Sequence, residues 1–130
     1  MLDLHFEGGG QPGIFCVYPD WPGDINPVDQ HWAGVIANSI AKATGLKTRT
    51  SGVTAPGAMS ERQTGVGGDG YRLGMFGLTA AQRVNSIRLV IEHGSLDKSP
   101  DADVIASAGI GRYAEVCAAA AVASIVGLQS

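Results

Sequence analysis

Two residues with acid–base or metal-binding side chains follow apolar segments of the sequence. Glu92 comes directly after the branched apolar run 87–91 and precedes a histidine and a glycine. His5 lies in the alternating segment 1–6, shortly before three consecutive glycines. Ligands and catalytic groups collect at the carboxyl ends of strands in open α/β sheets, because the backbone there opens into a crevice. Glu92 and His5 are therefore candidate site residues, and the alternative is that Glu92 is an ordinary surface residue at a strand end.

Alternation and short branched apolar runs predict the strands that would hold these two residues. Segment 1–6 alternates apolar and polar residues, which is the pattern of a half-buried strand. Segment 14–18 predicts a second strand, and 47–50 is a short strand candidate. The run 87–91 predicts an interior strand with Glu92 at its carboxyl end.

Capping signals and helical spacing predict three helices. Asn26 and Pro27 supply an N-cap and a first-turn proline for a helix that ends at Gly45. The same signal opens a short helix over 99–105, and a last helix with small alanines on one face is expected over 111–126. This order of elements predicts an α/β fold, a layered domain with a short mixed sheet flanked by helices.

Composition indicates one packed domain that does not bind nucleic acid. The 130 residues are 45% hydrophobic and 16% charged, which fits a single domain over 1–130. The net charge of −3 and the scattered basic residues leave no basic stripe for phosphates. The glycine-rich stretch 50–70 predicts a long loop, in which Glu61 and Asp69 are expected to be solvated. Its GVGGDG segment lacks the Lys-Ser/Thr of a phosphate loop.

The remaining cysteines and histidines favour structural roles. Cys16 and Cys117 lie in apolar stretches without metal-ligand spacing, so buried thiols are expected, with a disulfide as the alternative. His31 is expected on an exposed helix face, and His93 in the core or behind the site. We expect neither a signal peptide nor a membrane span, because the chain starts without a basic leader and has no apolar run of roughly 18 residues.

An amidase-like signature covers residues 86–105. Its letters, SIRLVIEHGSLDKSPDADVI, resemble the C-terminal signature of zinc-dependent N-acetylmuramoyl-L-alanine amidases of the amidase type 3 family, which includes phage endolysins. Segment 2–10 resembles the family's strand that ends in a zinc-binding histidine, and 26–45 occupies the place of the following helix. The three segments follow the family's order and correspond to the C-terminal half of its fold.

The resemblance implies hydrolysis of the peptidoglycan amide bond between N-acetylmuramic acid and L-alanine. Glu92 matches the family's catalytic glutamate, which acts as a general base, and His5 matches its final zinc ligand. The family's other two zinc ligands, a histidine and a glutamate, lie upstream of the matched segment. We therefore expect zinc as a cofactor only if the missing ligands are supplied from elsewhere.

Two functions follow from these observations. The first is a peptidoglycan amidase domain, and the second is a non-catalytic amidase-like scaffold that serves as a phage virion accessory protein or in cell-wall binding or assembly. Peptidoglycan or a protein is the expected partner, and no nucleic-acid or membrane partner is expected. Half of a fold leaves apolar strand faces uncovered, which predicts self-association or docking beside segment 1–6, unless the loop 50–70 covers the sheet.

Overall fold

The computed structural model describes residues 2–7, 11–19, 27–61, 89–97 and 100–127, and the first of these ranges is described by its backbone alone. The elements within these ranges follow one another as β1 (Leu2–Glu7), β2 (Phe15–Tyr18), α1 (Pro27–Thr44), β3 (Ala58–Ser60), β4 (Leu89–Ser95), α2 (Asp101–Ala108) and α3 (Ile110–Ile125). No single helix in these ranges is long and apolar enough to cross a membrane; α2 and α3 meet that criterion only together, across a bend of 105°.

The described strands form one mixed sheet in the order β1-β4-β2-β3. Strand β4 pairs parallel with β1 and antiparallel with β2, and β2 pairs parallel with β3. Strand β4 is therefore an interior strand, while β1 lies at one edge of the described sheet. A mixed sheet flanked by helices confirms the predicted α/β fold class.

Helices α1 and α3 cover one face of this sheet. Buried residues of α1 repeat at helical spacing, and the small buried residues of α3 allow the two helices to approach each other closely. Alternate strand residues face this layer because successive side chains of a strand point to opposite faces. The cluster includes Cys16, Leu89 and Ile91 from the strands, Ile14 directly before β2, Ala33, Ile36, Ala37, Ile40 and Ala41 from α1, and Cys117, Ala120 and Ala121 from α3.

The opposite face of the sheet carries a second, smaller apolar cluster. It contains Phe15 and Val17 of β2, Met59 of β3 and Val90 of β4, with Val53 packed against it. Glu92 follows Val90 by two residues in the same strand, so it lies on this second face. The candidate carboxylate is therefore on the side of the sheet away from α1.

The strand that carries Glu92 differs from the predicted one. Within the described residues it runs from Leu89 past residue 91 to Ser95, so Glu92 does not lie at its carboxyl end. The reason is pairing with β1, which continues past His5 and Glu92 to Glu7 and Ser95, while pairing with β2 reaches Glu92 through Phe15. Strand β1 likewise continues beyond His5, with a bulge, to Glu7.

The stretch 50–61 is more ordered and more buried than predicted. A three-residue strand, β3, forms there because it pairs with β2. Glu61 follows this buried strand directly and is only 4% exposed, so the expectation that it is solvated was wrong. Segment 47–50 forms no strand and contributes one isolated bridge, between Ile14 and Thr48. Asn26 and the stretch 62–88, which includes Asp69, lie outside the described residues.

Several local predictions are confirmed. Gly45 follows the end of α1, α3 lies within a residue of its expected bounds, and α2 runs on past 105 to Ala108. Cys16 and Cys117 are buried free thiols. His31 is exposed on α1, and His93 is 2% exposed in the core.

Alkaline pH should destabilise this core. Burial raises the pKa of the Cys117 thiol to about 11, and burial also raises the pKa of the Cys16 thiol and of the Tyr113 hydroxyl. The unfolded chain ionises at lower pH, so stability that is present below about pH 9 is lost as the pH rises towards 11. Urea unfolding under reducing conditions should show a loss on the order of 1 kcal/mol per pH unit for each thiol.

Cys117→Ala and Cys16→Ala provide the controls for this pH dependence. Each variant removes one ionising group, so each should flatten the fall in stability between pH 9 and 11 relative to the unsubstituted chain. A pH profile that is the same in both variants and the parent would contradict the assignment of the effect to the thiols.

Candidate functional site

The two candidate residues occupy paired positions in neighbouring parallel strands. His5 of β1 is the register partner of Glu92 of β4, and Phe15 of β2 is the partner of Glu92 on the other side. Neighbouring strands lie about 4.8 Å apart. The fold therefore brings these distant parts of the chain into one row across the sheet, in the order His5, Glu92, Phe15.

Glu92 is half-buried on the second face of the sheet. Its neighbours there are Val90 of the same strand and Phe15 of β2, both buried in the second cluster. A carboxylate at such a position is partly shielded from water while keeping one polar group for proton transfer. The arrangement suits a general base.

Arg49 contacts Phe15, the last residue of this row, and no sequence pattern had indicated a role for it. Its guanidinium carbon lies 4.7 Å from the centroid of the Phe15 ring, and its Nε donates to the Ser51 carbonyl at 3.2 Å. Its backbone N–H donates to the Ile14 carbonyl, and its carbonyl accepts from the Gly57 N–H, each at 2.9 Å. These contacts hold the start of the loop 49–57 against β2.

Gly13 allows that close approach. A Cβ atom at Gly13 would lie 3.1 Å from the backbone of Arg49, closer than an ordinary van der Waals contact. A larger residue at this position would force the loop away from β2. The position of Arg49 over Phe15 therefore depends on the glycine as well as on the two backbone hydrogen bonds.

Asp101 fixes the ends of β2 and β4 relative to each other. Its Oδ2 accepts the N–H of Gly13 at 2.7 Å and the N–H of Ser95 at 3.0 Å. The residue is 1% exposed and is the first residue of α2, where a negative charge is favoured by the helix dipole. This carboxylate helps to hold Glu92 and Phe15 in register, which the sequence did not indicate.

Helix α3 is tied to β4 through Tyr113. Its hydroxyl donates to the carbonyl of His93 at 2.6 Å. The side chain of His93 lies on the helix-covered face because it follows Glu92 by one residue in the strand. His93 is therefore part of the core, which is the first of the two places predicted for it, in the core or behind the site. It does not share a face of the sheet with Glu92.

The described residues do not build a zinc site by themselves. Across the ranges that the structure covers, no three or more His, Cys, Asp or Glu residues are grouped so that they could hold a metal ion. A catalytic zinc ion normally takes three protein ligands. His31, considered as a replacement ligand, is exposed on α1. Its ring packs edge-on against Trp32, with ring centroids 5.8 Å apart.

Added zinc is expected to have little effect on the melting temperature of this chain. A ligand stabilises a protein only when its concentration is well above the dissociation constant, and the described residues offer no complete site. Thermal unfolding with and without micromolar zinc measures this, with His5→Ala as the matched variant. A rise of many degrees that His5→Ala removes would contradict the expectation.

Comparison with known proteins supports the fold. No family model matches the chain, and no curated protein matches it. The chain is similar to a crystal structure of a proposed N-acetylmuramoyl-L-alanine amidase from Neisseria meningitidis, with a TM-score of 0.55 and 16% identity. The match covers 97% of this chain and 57% of that chain. The chain therefore shares its fold with the matched part of that protein, and it spans little more than half of that protein's length.

Proposed function

We propose that this chain supplies the C-terminal part of a peptidoglycan amidase site, which hydrolyses the amide bond between N-acetylmuramic acid and L-alanine. One observation carries the proposal: Glu92 and His5 are register partners on adjacent parallel strands of an amidase fold. Register partners in adjacent strands are neighbouring positions, with backbones about 4.8 Å apart.

Glu92 is the proposed general base. Its carboxylate takes a proton from the attacking water and passes it to the nitrogen of the leaving L-alanine. The apolar neighbours Phe15 and Val90 limit the access of bulk water to this carboxylate. His5 is the proposed metal position, and it requires further ligands from outside the described residues because those residues hold no complete set.

Clearing of peptidoglycan tests this proposal. The purified chain alone should not clear a peptidoglycan gel, whereas the chain mixed with the part of the Neisseria meningitidis protein outside the matched region should. The intact Neisseria meningitidis protein serves as the positive control. If the control clears the gel and the mixture does not, even when zinc is supplied, the proposed amidase function is wrong for this chain.

A non-catalytic scaffold is the second candidate function. It is suggested by the extent of the structural match, which covers 97% of this chain but only 57% of the similar protein. Such a scaffold would keep the fold and serve as a phage virion accessory protein or in cell-wall binding or assembly. Metal analysis of the purified protein separates the two functions, because zinc near one ion per chain supports the enzyme and its absence supports the scaffold.

Self-association or docking on a partner is expected for either function. Strand β1 lies at the edge of the described sheet, and an edge strand offers backbone groups to another chain. Sedimentation at micromolar concentration should give a species larger than the monomer. A stable monomer would contradict this expectation. It would instead favour the alternative that the loop after α1 covers the sheet, since Val53 of that loop packs on the second face.

A further inference from the structure

We infer that Arg49 binds a carboxylate of the peptide part of the substrate, on the same face of the sheet as the proposed general base Glu92. The inference rests on the proposed function and adds to it a preference for anionic peptides. It assigns Arg49 as a residue that determines specificity, without a part in the proton transfer.

The first support is the placement of Arg49 and Glu92 around one aromatic ring. Phe15 is the register partner of Glu92 on the neighbouring strand, and the Arg49 guanidinium stacks 4.7 Å from the centroid of the Phe15 ring. Phe15 and Val90 share the second cluster, which fixes the face of the sheet on which Phe15 and Glu92 lie. The guanidinium therefore lies over the same face as the proposed base.

The second support is that the guanidinium is held in place before any ligand binds. The Nε contact with Ser51 and the aromatic ring of Phe15 restrain the end of the side chain, and two backbone hydrogen bonds restrain its base. A restrained guanidinium loses little conformational entropy when it binds. Its planar fork matches the two oxygens of a carboxylate. Arg49 also keeps part of its surface exposed to solvent.

The third support is that the spacing of the strands at the site is similar to the length of one or two residues of an extended peptide. Neighbouring strands lie about 4.8 Å apart, and an extended peptide advances about 3.4 Å per residue. A peptide whose scissile amide lies at Glu92 can therefore place a carboxylate near Arg49 within one or two residues. The chain carries a net charge of −3, so an anionic substrate needs a local cation of this kind to be recognised.

Equilibrium binding of two matched ligands tests the inference. The ligands are N-acetylmuramoyl-L-alanyl-D-glutamate and the same compound with both carboxylates converted to amides. Wild-type protein should bind the carboxylate form about tenfold to a hundredfold more tightly, as expected for charge-assisted hydrogen bonds to a guanidinium. Arg49→Gln should abolish this preference while the affinity for the diamide stays within about threefold of wild type.

Two further variants control for charge and for folding. Arg112→Gln removes an arginine that is exposed on α3 and pairs with Glu115, so the preference should be unchanged. Arg49→Lys keeps the charge but loses the fork, and it should retain only part of the preference. If thermal unfolding shows that Arg49→Gln does not fold, the preference for the carboxylate ligand is measured on Arg49→Lys instead.

The outcomes separate this inference from the proposed function. Equal binding of both ligands by wild type, or a full preference in a folded Arg49 variant, overturns the role of Arg49 and leaves the amidase proposal standing. Failure of wild type to bind either ligand overturns the role of Arg49, whereas the amidase proposal is judged by the clearing of peptidoglycan by the completed site. Loss of affinity for both ligands alike in Arg49→Gln shows that Arg49 only supports Phe15, and it overturns the inference.

Discussion

Glu92→Gln is expected to lower the rate of amide hydrolysis by the completed site by about 10²- to 10⁴-fold, the usual contribution of a positioned general base. Glutamine keeps the size of the side chain and its hydrogen-bonding oxygen but cannot accept the proton. Strand β4 is paired on both sides at this position, so the backbone should tolerate the change. The rate of release of free amino groups from peptidoglycan measures the loss.

Stability measurements and a second glutamate separate catalysis from structure. Glu115 is an exposed carboxylate on α3, so Glu115→Gln should leave both the rate and the stability unchanged. Glu92→Gln should shift the free energy of unfolding in urea by less than about 1 kcal/mol. A Glu92→Gln protein with wild-type activity, or one that loses stability instead of activity, would show that the carboxylate is structural.

Asp101→Ala is expected to cause the largest loss of stability, about 2–6 kcal/mol for two buried donors left without an acceptor. The side chain is 1% exposed and its Oδ2 accepts two backbone N–H groups, from Gly13 and Ser95. Alanine leaves both donors buried without this acceptor, which costs more than the hydrogen bonds themselves contribute. Asp101→Asn keeps an oxygen acceptor of the same size, so its loss should be smaller.

Asp103 provides the matched control for this prediction. It lies in the same first turn of α2 but is exposed, so Asp103→Ala should cost at most about 1 kcal/mol. Hydrogen exchange adds a local readout, because the amides of Gly13 and Ser95 should lose protection in Asp101→Ala more than those of α3. Equal losses of stability in the two alanine variants would contradict the structural role of Asp101.

Local sequence patterns accounted for the helices and for most of the strands. Alternation in 1–6, apolar runs, prolines and Gly45 act over a few neighbouring residues, which is the range that such patterns cover. Strand β3 has no such pattern, since three residues in a glycine-rich stretch form a strand only because β2 lies beside them. The burial of Glu61 follows from that pairing and was missed for the same reason.

The candidate site was only partly predictable. Glu92 and His5 were found one at a time, from strand patterns and from the resemblance to the amidase family, but their register depends on which strands become neighbours. The continuation of β4 past Glu92 has the same origin, because pairing of Ser95 with Glu7 of β1 outweighs the local signal of a following glycine. Arg49 gave no sequence signal, since only the folded sheet brings it over Phe15.

The products of peptidoglycan digestion test the central claim most directly. The completed site should release peptides that begin with a free L-alanine amino group and leave glycan strands of unchanged length, as determined by mass spectrometry. Glu92→Gln should give none of these peptides above background. New reducing sugar ends, cuts within the peptides, or unaltered peptidoglycan would contradict the assignment of Glu92 and His5 to an N-acetylmuramoyl-L-alanine amidase site.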